Sequence, residues 1–268
     1  MNKEDLVSVI MPTYNAGKYL ADSINSILNQ SYKNLELLIT DDASTDPTTL
    51  QLLQEFASKD NRVDILYLKE NHGAGYARNQ SIERAKGRYI AFCDSDDRWT
   101  TDKLEKQIAF MNKKKCALSC ASYIIFDGET QNEIGFCTAP KKITYGMMKR
   151  DNKVGCLTAI YDVQMLGRKF FMPTIRKRQD WALFLQIIRE CKVCYAYPDK
   201  PLAYYCMRRN SISSNKMSLM KYNIAVYKEI LGFHPIKANL YFFTLFLPTY
   251  GAKVLKRKFD SYTFTHQK

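Results

Sequence analysis

The sequence lacks the features of a membrane-spanning protein and those of a small secreted protein stabilised by disulfide bonds. No run reaches the ~18 apolar residues that cross a bilayer, and the opening residues hold too short an apolar run for a signal peptide. The eight cysteines are scattered, and the close pair Cys191 and Cys194 has no second pair or nearby histidine. We therefore expect a reducing compartment, with cysteines serving as small apolar residues.

Negative charge is also scarce, because 40 Lys and Arg stand against 27 Asp and Glu, which leaves a net charge of +13. A surplus of this size favours polyanionic partners, which are nucleic acid, anionic lipid or phosphorylated substrates. The sequence contains no recognisable nucleic-acid-binding module, and clustered acids at strand ends do not suit a phosphate-backbone binder. We therefore predict no nucleic-acid partner.

Length and periodicity predict the fold class. The 268 residues suit one sizeable domain with a small appendage. Short apolar runs in the first half alternate with segments of helical spacing, which predicts an α/β fold with a mainly parallel sheet between helices. The predicted strands span 7–11, 35–40, 63–68, 89–93 and 117–126, and the predicted helices span 17–30, 47–58, 73–86 and 101–113.

The second half is less regular. A hairpin turn is expected at 127–130. In the first half, Gly87 is expected to end the predicted helix that begins at residue 73. The predicted strands span 156–161, 193–197 and 203–207, and the predicted helices span 180–191 and 218–231.

Polar loops follow the first four predicted strands. They span 12–15, 41–46, 71–75 and 94–97. Because ligands bind at the carboxyl ends of the strands in such sheets, the four loops predict one binding site along a single edge.

The segment Asp94-Ser95-Asp96-Asp97 carries the strongest chemical signal. Three carboxylates within four residues repel one another, and a divalent cation such as Mg²⁺ or Mn²⁺ removes that repulsion. A metal here would act as a Lewis acid on a leaving nucleoside diphosphate. The alternative is a solvated acidic turn that caps the next helix, and the segment by itself does not decide between the two.

Two other loops at this edge also allow two interpretations. The acids of 41–46 either cap the helix that begins at Pro47 or hydrogen-bond a nucleobase or ribose. The segment 71–79 is neither a full dinucleotide fingerprint nor a Walker P-loop. Its Arg78 either neutralises a diphosphate, orients nearby carboxylates, or lies on the surface.

Two segments of the second half carry candidate catalytic groups. Asp180 follows the basic run 176–178 and opens a helix, where the helix dipole favours its charged form. It is either an available base or a helix-opening acid with no further role. The segment 205–213 places basic and hydroxyl side chains in a loop that either folds over a diphosphate or is simply solvated.

Taken in order, these motifs resemble the family 2 glycosyltransferases of the GT-A fold. The resemblance is dense over about residues 7–100 and continues in order to about residue 216. It is carried by VSVIMPTYNAGKYLADSINSILNQSYKNLELLITDDASTD, ENHGAGYARNQSIERAKGRYIAFCDSDD, RQDWALFLQI and AYYCMRRNSISSNK. The resemblance implies a GT-A domain at 1–215, with a nucleotide-sugar-binding half at 1–125 and an acceptor-binding half at 126–215, and a helical extension at 216–268.

The resemblance also implies roles for individual residues. An Mn²⁺ or Mg²⁺ ion would be held by Asp94, Asp96 and Asp97, with either Asp94–Asp96 or Asp96–Asp97 supplying the direct ligands. Asp180 would be the general base of an inverting transfer. Gln179, Trp181 and Thr158 would face the acceptor. The residues expected to contact the donor are Pro12, Thr13, Tyr14, Asn15, Asp41, Asp42, Gly73, Arg78, Asp94, Ser95, Arg208 and Ser213.

Two positions depart from the family pattern. Many relatives have Glu at the position of Gln179, so the charge beside the base is lost. Relatives often carry His at the position of Arg208, and since an arginine does not ligate metal, we assign Arg208 to the diphosphate.

The chain ends in an apolar and aromatic segment, residues 239–247, which Pro248 is expected to interrupt, followed by Lys253, the basic cluster 256–258 and Phe259. The segment is too short to span a bilayer and fits an interfacial anchor on anionic lipid. The alternative is a helix packed on the domain. Anchoring would give a cytoplasmic, peripheral protein on the inner face of the cell membrane.

The resemblance thus implies transfer from a nucleotide-sugar, usually a UDP-sugar, to a saccharide or lipid-linked saccharide in bacterial surface polysaccharide synthesis. A nucleotidyltransferase is the alternative, but it would usually need a glycine-rich basic loop where Pro12–Asn15 stand. A catalytically inactive relative is a second alternative, against which the presence of Asp180 weighs.

Overall fold

The computed structural model describes residues 5–208 and 216–266. Its strands are β1 (Val7–Thr13), β2 (Leu35–Asp41), β3 (Val63–Tyr67), β4 (Tyr89–Phe92), β5 (Arg98–Trp99), β6 (Leu118–Ala121), β7 (Tyr123–Asp127), β8 (Glu133–Cys137), β9 (Lys142–Thr144), β10 (Ile160–Asp162), β11 (Val193–Tyr197) and β12 (Ala203–Met207).

The helices pack on the faces and ends of the sheets. They are α1 (Leu20–Leu28), α2 (Pro47–Lys59), α3 (Ala74–Arg84), α4 (Lys103–Lys114), α5 (Tyr145–Arg150), α6 (Val163–Leu166), α7 (Gln179–Cys191), α8 (Lys216–Ala225), α9 (Pro235–Tyr241) and α10 (Leu247–His266). Short 3₁₀ turns lie at Gly17–Tyr19 and Cys156–Thr158, and π-helical turns lie at Val226–Ile230 and Phe242–Phe246.

The main sheet has eight strands in the order β3-β2-β1-β4-β10-β6-β11-β9. The strands β1 to β4 pair in parallel, and β10 runs antiparallel to both β4 and β6. Every residue of β1 is buried, as expected for a central strand covered by helices on both faces. The sheet is therefore mixed and mainly parallel, as the sequence predicted.

The predicted strand at 117–126 is two strands in two different sheets. The second sheet has the order β5-β12-β7-β8, and the chain passes from β6 to β7 at Ser122. There Ser122 accepts hydrogen bonds from Leu202 N at its carbonyl and from Ala139 N at its Oγ, at 3.1 and 3.0 Å. These bonds turn the backbone out of the first sheet.

Two other local predictions are wrong. The chain at 156–161 begins with a 3₁₀ turn, because Thr158 Oγ1 donates to the Gly155 carbonyl at 2.9 Å and competes with strand pairing. Helix α3 ends at Arg84, not at Gly87. Gly87 instead allows a close approach of β1, since a Cβ there would lie 2.6 Å from the Ser8 nitrogen.

Pro248 does not break the C-terminal segment. It stands in the first turn of α10, where its missing N–H is tolerated, directly after the widened turn at Phe242–Phe246. One side of α10 packs on β8, where Phe264 stacks on Phe136 with ring centroids 5.7 Å apart. In residues 5–208 and 216–266, none of the helices combines the length and apolar character needed to cross a membrane.

Lys103 at the start of α4 is a fully buried lysine. Its Nζ lies 4.0 Å from the centre of the Trp99 ring and finds no hydrogen-bond acceptor among the described residues. Burial lowers the pKa of Lys103 to about 7. Because the unfolded chain holds this proton more tightly, the free energy of unfolding should rise with pH between about 7 and 10.5.

Replacing Lys103 with Met should raise the free energy of unfolding at pH 7 by roughly 1–3 kcal/mol, since an unpaired polar group leaves the core. The gain should be smaller at pH 9, where the wild-type amine is already neutral. Thermal denaturation at both pH values measures this, with the exposed Lys113→Met on the same helix as control. A lower melting temperature of Lys103→Met at pH 7 would mean that the ammonium on the Trp99 ring stabilises the fold.

Candidate active site

The loops after β1 and β2 are joined through Asn15. Its backbone has a left-handed φ of 46°, and its Oδ1 accepts the N–H groups of Thr45 and Asp46, both at 2.9 Å. Its own N–H donates to Ser44 Oγ at 2.8 Å. Asp46 in turn caps α2 by accepting Thr49 N at 2.8 Å. Asn15 is thus committed to holding the two loops together.

Asp41 and Asp42 at the end of β2 shape the same loops. Asp41 accepts the hydroxyl of Ser44 at 2.5 Å, and Asp42 accepts the N–H groups of His72 and Gly73 at 2.8 and 2.7 Å. Both acids are 2% exposed. The structure shows them as loop-organising residues, and contact between these oxygens and a donor stays a prediction.

The residues that end β1 differ in what they offer a ligand. Tyr14 is 51% exposed, so its ring is free to stack on a planar group. Pro12 is buried beside it, and the Thr13 hydroxyl is buried without a hydrogen-bond partner in the part of the chain that the structure describes. An unpaired buried hydroxyl at the ligand edge of a sheet is available for a bound molecule.

Arg78 in α3 is buried, so the interpretation of it as a surface arginine is wrong. Its Nη2 donates to Asp94 Oδ1 at 2.5 Å. Burial alone would lower the pKa of Arg78, but the charges of Asp94 and Asp180 and the Cys156 thiol raise it, and the net shift is upward. Gly73, at a left-handed φ of 90°, precedes this helix. Arg78 therefore orients a carboxylate of the acidic segment.

The other two acids after β4 have different partners. Asp96 pairs with Arg208 at 2.5 Å, and Asp97 accepts the N–H of Cys206 at 2.9 Å. Burial raises the pKa of Asp96, partly offset by Arg208, and burial together with the charge of Asp96 raises the pKa of Asp97 well above its usual range.

These contacts correct the predicted set of metal ligands. Asp97 is 2% exposed and fastens β12 to the end of β4, so it does not face a ligand. Asp94 and Asp96 keep partly exposed side chains. In residues 5–208 and 216–266, no three acids, cysteines or histidines are arranged to hold a metal ion by themselves.

Asp180 lies in the first turn of α7, and its neighbour Gln179 contacts Gly75 of α3, the helix that carries Arg78. The charge of Asp180, like the larger influence of Asp94, raises the pKa of Arg78. Its Oδ2 accepts the side-chain N–H of Asn152 at 2.8 Å. The sequence reasoning missed Asn152, because a single Asn in an irregular segment carries no local signal.

Two residues assigned to the acceptor lie in the core, and for these the prediction is wrong. Trp181 is 1% exposed and donates to the Met148 carbonyl at 2.7 Å. Thr158 is fully buried. Gln179 does reach the site, because a Cβ added to Gly75 in α3 would lie 2.5 Å from its Nε2. Ser95 is half-buried, and Ser213 lies outside the described residues.

Residues 8–171 match the family model described as glycosyl transferase family 2, and the chain belongs to this family. The putative teichuronic acid biosynthesis glycosyltransferase TuaG of Bacillus subtilis is 42% identical over 238 residues, 89% of this chain and 93% of that protein. The UDP-Glc:alpha-D-GlcNAc-diphosphoundecaprenol beta-1,3-glucosyltransferase WfgD of Escherichia coli is 38% identical over 216 residues, 81% of this chain and 83% of that protein.

Solved structures confirm the GT-A fold. S. aureus TarS 1-349 in complex with UDP-GlcNAc has a TM-score of 0.66 at 21% identity, over 88% of this chain and 70% of that chain. The mannosyltransferase PcManGT from Pyrobaculum calidifontis in complex with GDP-Man and Mn²⁺ has a TM-score of 0.63 at 17% identity, over 95% of this chain and 75% of that chain.

Replacing Gly75 with Ala should lower the turnover rate on the order of 10-fold, because the new methyl group displaces Gln179 and with it the first turn of α7. The melting temperature should change little, since Ala favours a helix. The matched control is Gly251→Ala in α10, where nothing lies within 4 Å of the added Cβ. Wild-type turnover in Gly75→Ala would show that Gln179 moves without disturbing Asp180.

Proposed function

We propose that this glycosyltransferase moves a sugar from a UDP-sugar to a hydroxyl group of a lipid-linked saccharide, with inversion at the anomeric carbon and Asp180 as the general base. The observation that carries the proposal is that helix α3 contacts both acidic regions. Its Arg78 donates to Asp94 Oδ1 at 2.5 Å, and its Gly75 lies against Gln179, the neighbour of Asp180. Two acids 86 positions apart in sequence thereby flank the same helix.

The donor would occupy the edge formed by the loops after β1, β2 and β4. The exposed ring of Tyr14 would stack on the nucleobase. The Thr13 hydroxyl beside it is the unpaired polar group available to the donor. A UDP carrier is supported by the name of the E. coli relative and by the complex of TarS with UDP-GlcNAc. A hexose or an N-acetylhexosamine is accordingly the sugar class we propose.

The acidic segment fits a divalent cation that arrives with its substrate. Mg²⁺ sites commonly use one or two carboxylates and complete their shell with water and substrate phosphates. Asp94 and Asp96 would supply those carboxylates. The cation would stabilise the charge of the departing diphosphate. An Mn²⁺ ion in the PcManGT complex supports this assignment.

Arg208 complements that arrangement. Its guanidinium now balances Asp96, and its planar donors are well matched to phosphate oxygens. If Asp96 held a cation, the guanidinium of Arg208 would be free to pair with the diphosphate. The permanently charged side chain thus serves the donor without being a metal ligand.

On the acceptor side, Asp180 would take the proton of the attacking hydroxyl. Asn152 occupies one of its oxygens and leaves the other for that hydroxyl. Attack from the side opposite the diphosphate inverts the anomeric configuration. The E. coli relative's name specifies a diphosphoundecaprenol-linked GlcNAc acceptor, which supports a lipid-linked acceptor here.

A lipid-linked acceptor calls for contact with a membrane surface, and the C-terminal helices offer a suitable face. We name as the outer face the exposed apolar residues of 235–266, which follow helical spacing. They are Ile236, Leu240, Phe243, Leu247, Leu255, Phe259 and Tyr262. Lys256, Arg257 and Lys258 are exposed among them. Apolar side chains beside basic ones fit an anionic lipid surface, with the protein peripheral on the inner face of the membrane.

Replacing Asp180 with Asn should abolish transfer and leave donor binding unchanged, because the acid has no donor role in this scheme. Transfer is measured as UDP release from UDP-Glc and from UDP-GlcNAc with α-D-GlcNAc-diphosphoundecaprenol. Binding is measured by calorimetric titration with UDP, GDP and dTDP, each with and without Mn²⁺. We expect tight Mn²⁺-dependent binding of UDP and weak Mn²⁺ binding in its absence.

The two measurements separate the parts of the proposal. Transfer by Asp180→Asn would refute the base assignment. Equal UDP affinity with and without Mn²⁺ would refute the metal. Folded protein that binds none of the three nucleotides would contradict the donor site.

The double variant Leu255→Ser with Phe259→Ser should bind vesicles of anionic phosphatidylglycerol about 10-fold or more weakly than wild type, because two apolar side chains are lost from the outer face. Cosedimentation measures this, and high salt should weaken wild-type binding. The control is Phe171→Ser, an exposed aromatic outside the C-terminal helices. Equal binding by all three proteins would contradict the membrane contact.

A further inference from the structure

The segment that carries Asn152 is held from three sides by elements distant in sequence. Trp181, the neighbour of Asp180, donates to the Met148 carbonyl at 2.7 Å, and Tyr227 donates to the Lys149 carbonyl at 2.9 Å. Lys253 of α10 donates to the Asn152 carbonyl at 2.5 Å. These three bonds converge on the end of α5 and the residues that follow it, and they fix the position of this segment against α7.

Lys253 makes a second contact in the same place. Its Nζ lies 3.0 Å from Asp151 Oδ2, which also pairs with Lys153 at 3.1 Å. Asp151 is 3% exposed, and a buried carboxylate must keep its cationic partners. The ammonium of Lys253 therefore ties α10 both to the side chain of Asp151 and to the backbone of Asn152.

Both ends of the Asn152 amide are satisfied. Its Oδ1 accepts the N–H of Val154 at 3.1 Å, and its Nδ2 donates to Asp180 Oδ2 at 2.8 Å. The bond to Val154 sets which end of the amide faces Asp180. An N–H aimed at one carboxylate oxygen fixes the rotation of that carboxylate and reserves the other oxygen for a second partner.

We infer that Asn152 and Lys253 are positioning residues for Asp180, and that α10 is thereby part of the acceptor-side machinery. Asn152 holds the carboxylate, and Lys253 holds the backbone of Asn152. The inference rests on the proposed role of Asp180 as the base. It assigns to the C-terminal helix a function in turnover that is separate from any contact of its outer face with lipid.

The variant Asn152→Ala tests the first contact. It keeps the backbone carbonyl and the ion pairs of Asp151, so folding should be preserved. We expect kcat on the order of 10-fold lower, with the KM for UDP-Glc and the Mn²⁺-dependent affinity for UDP unchanged, because a misplaced base affects the transfer step alone. A merely structural role would lower UDP affinity or the melting temperature together with kcat.

The variant Lys253→Met tests the second contact, with Lys113→Met in α4 as its charge-matched control. Lys113 is exposed, so its replacement removes the same charge without touching the segment 148–153. We expect Lys253→Met to lower kcat, Lys113→Met to leave it at the wild-type value, and Lys253→Arg to restore most of it. The assay uses detergent-solubilised acceptor, which removes any effect of vesicle binding.

The outcomes distinguish this inference from the proposal beneath it. If Asp180→Asn loses transfer while Asn152→Ala turns over like wild type, the positioning role is refuted and the base stands. If Lys253→Met and Lys113→Met have equal kcat, the link to α10 is refuted. If Asp180→Asn retains transfer, the base assignment fails, and the inference fails with it.

Discussion

The repulsion among three carboxylates at the end of β4 is the constraint on which the site depends. Each acid is held by a partner from another part of the chain. The partners are Arg78 in α3, Arg208 after β12 and the backbone N–H of Cys206 in β12. The cluster therefore exists only when α3 and the second sheet are both docked on the first. Formation of the acidic cluster and docking of the two sheets depend on the same contacts.

This arrangement costs stability at neutral pH. Burial raises the pKa of Asp96 and of Asp97, so the folded chain holds their protons more tightly than the unfolded chain does. Stability from these groups is present at low pH and is lost as the pH rises through the folded pKa values. The loss of stability is offset by the hydrophobic core, in which central strands such as β1 are covered on both faces. Functional sites that concentrate like charge commonly lower the free energy of unfolding, and the rest of the fold compensates.

The first half of the fold was predictable because its information is local. Strands β1, β2 and β4 are mainly apolar and buried, and each is followed by a polar loop, so the position of the ligand edge follows from the chain direction. The acidic segment and Asp180 were found in the same way. Which acid faces outward was not predictable, since the burial of Asp97 depends on the distant Cys206.

The second half of the fold shows why the rest could not be predicted. The chain passes from one sheet to the other at Ser122, which accepts hydrogen bonds from Leu202 and Ala139. The sequence around Ser122 gives no indication of these distant partners. Trp181 stands next to the predicted base yet points into the core, because the helix turns it about 100° away from Asp180. Asn152 matters only through Asp180, which lies 28 residues further along.

The hydrogen bond between Phe136 and Ser261 spans 125 residues, and it joins β8 to the helix that also carries Lys253. Contacts of such long range form late, because the entropy of closing the loop precedes any gain. During synthesis, β1 to β4 leave the ribosome as consecutive local units, well before α10 is made. A nascent chain can therefore assemble its nucleotide edge while the segment beside Asp180 still lacks its last support. The contacts of Lys253 with this segment form only after α10 has been synthesised.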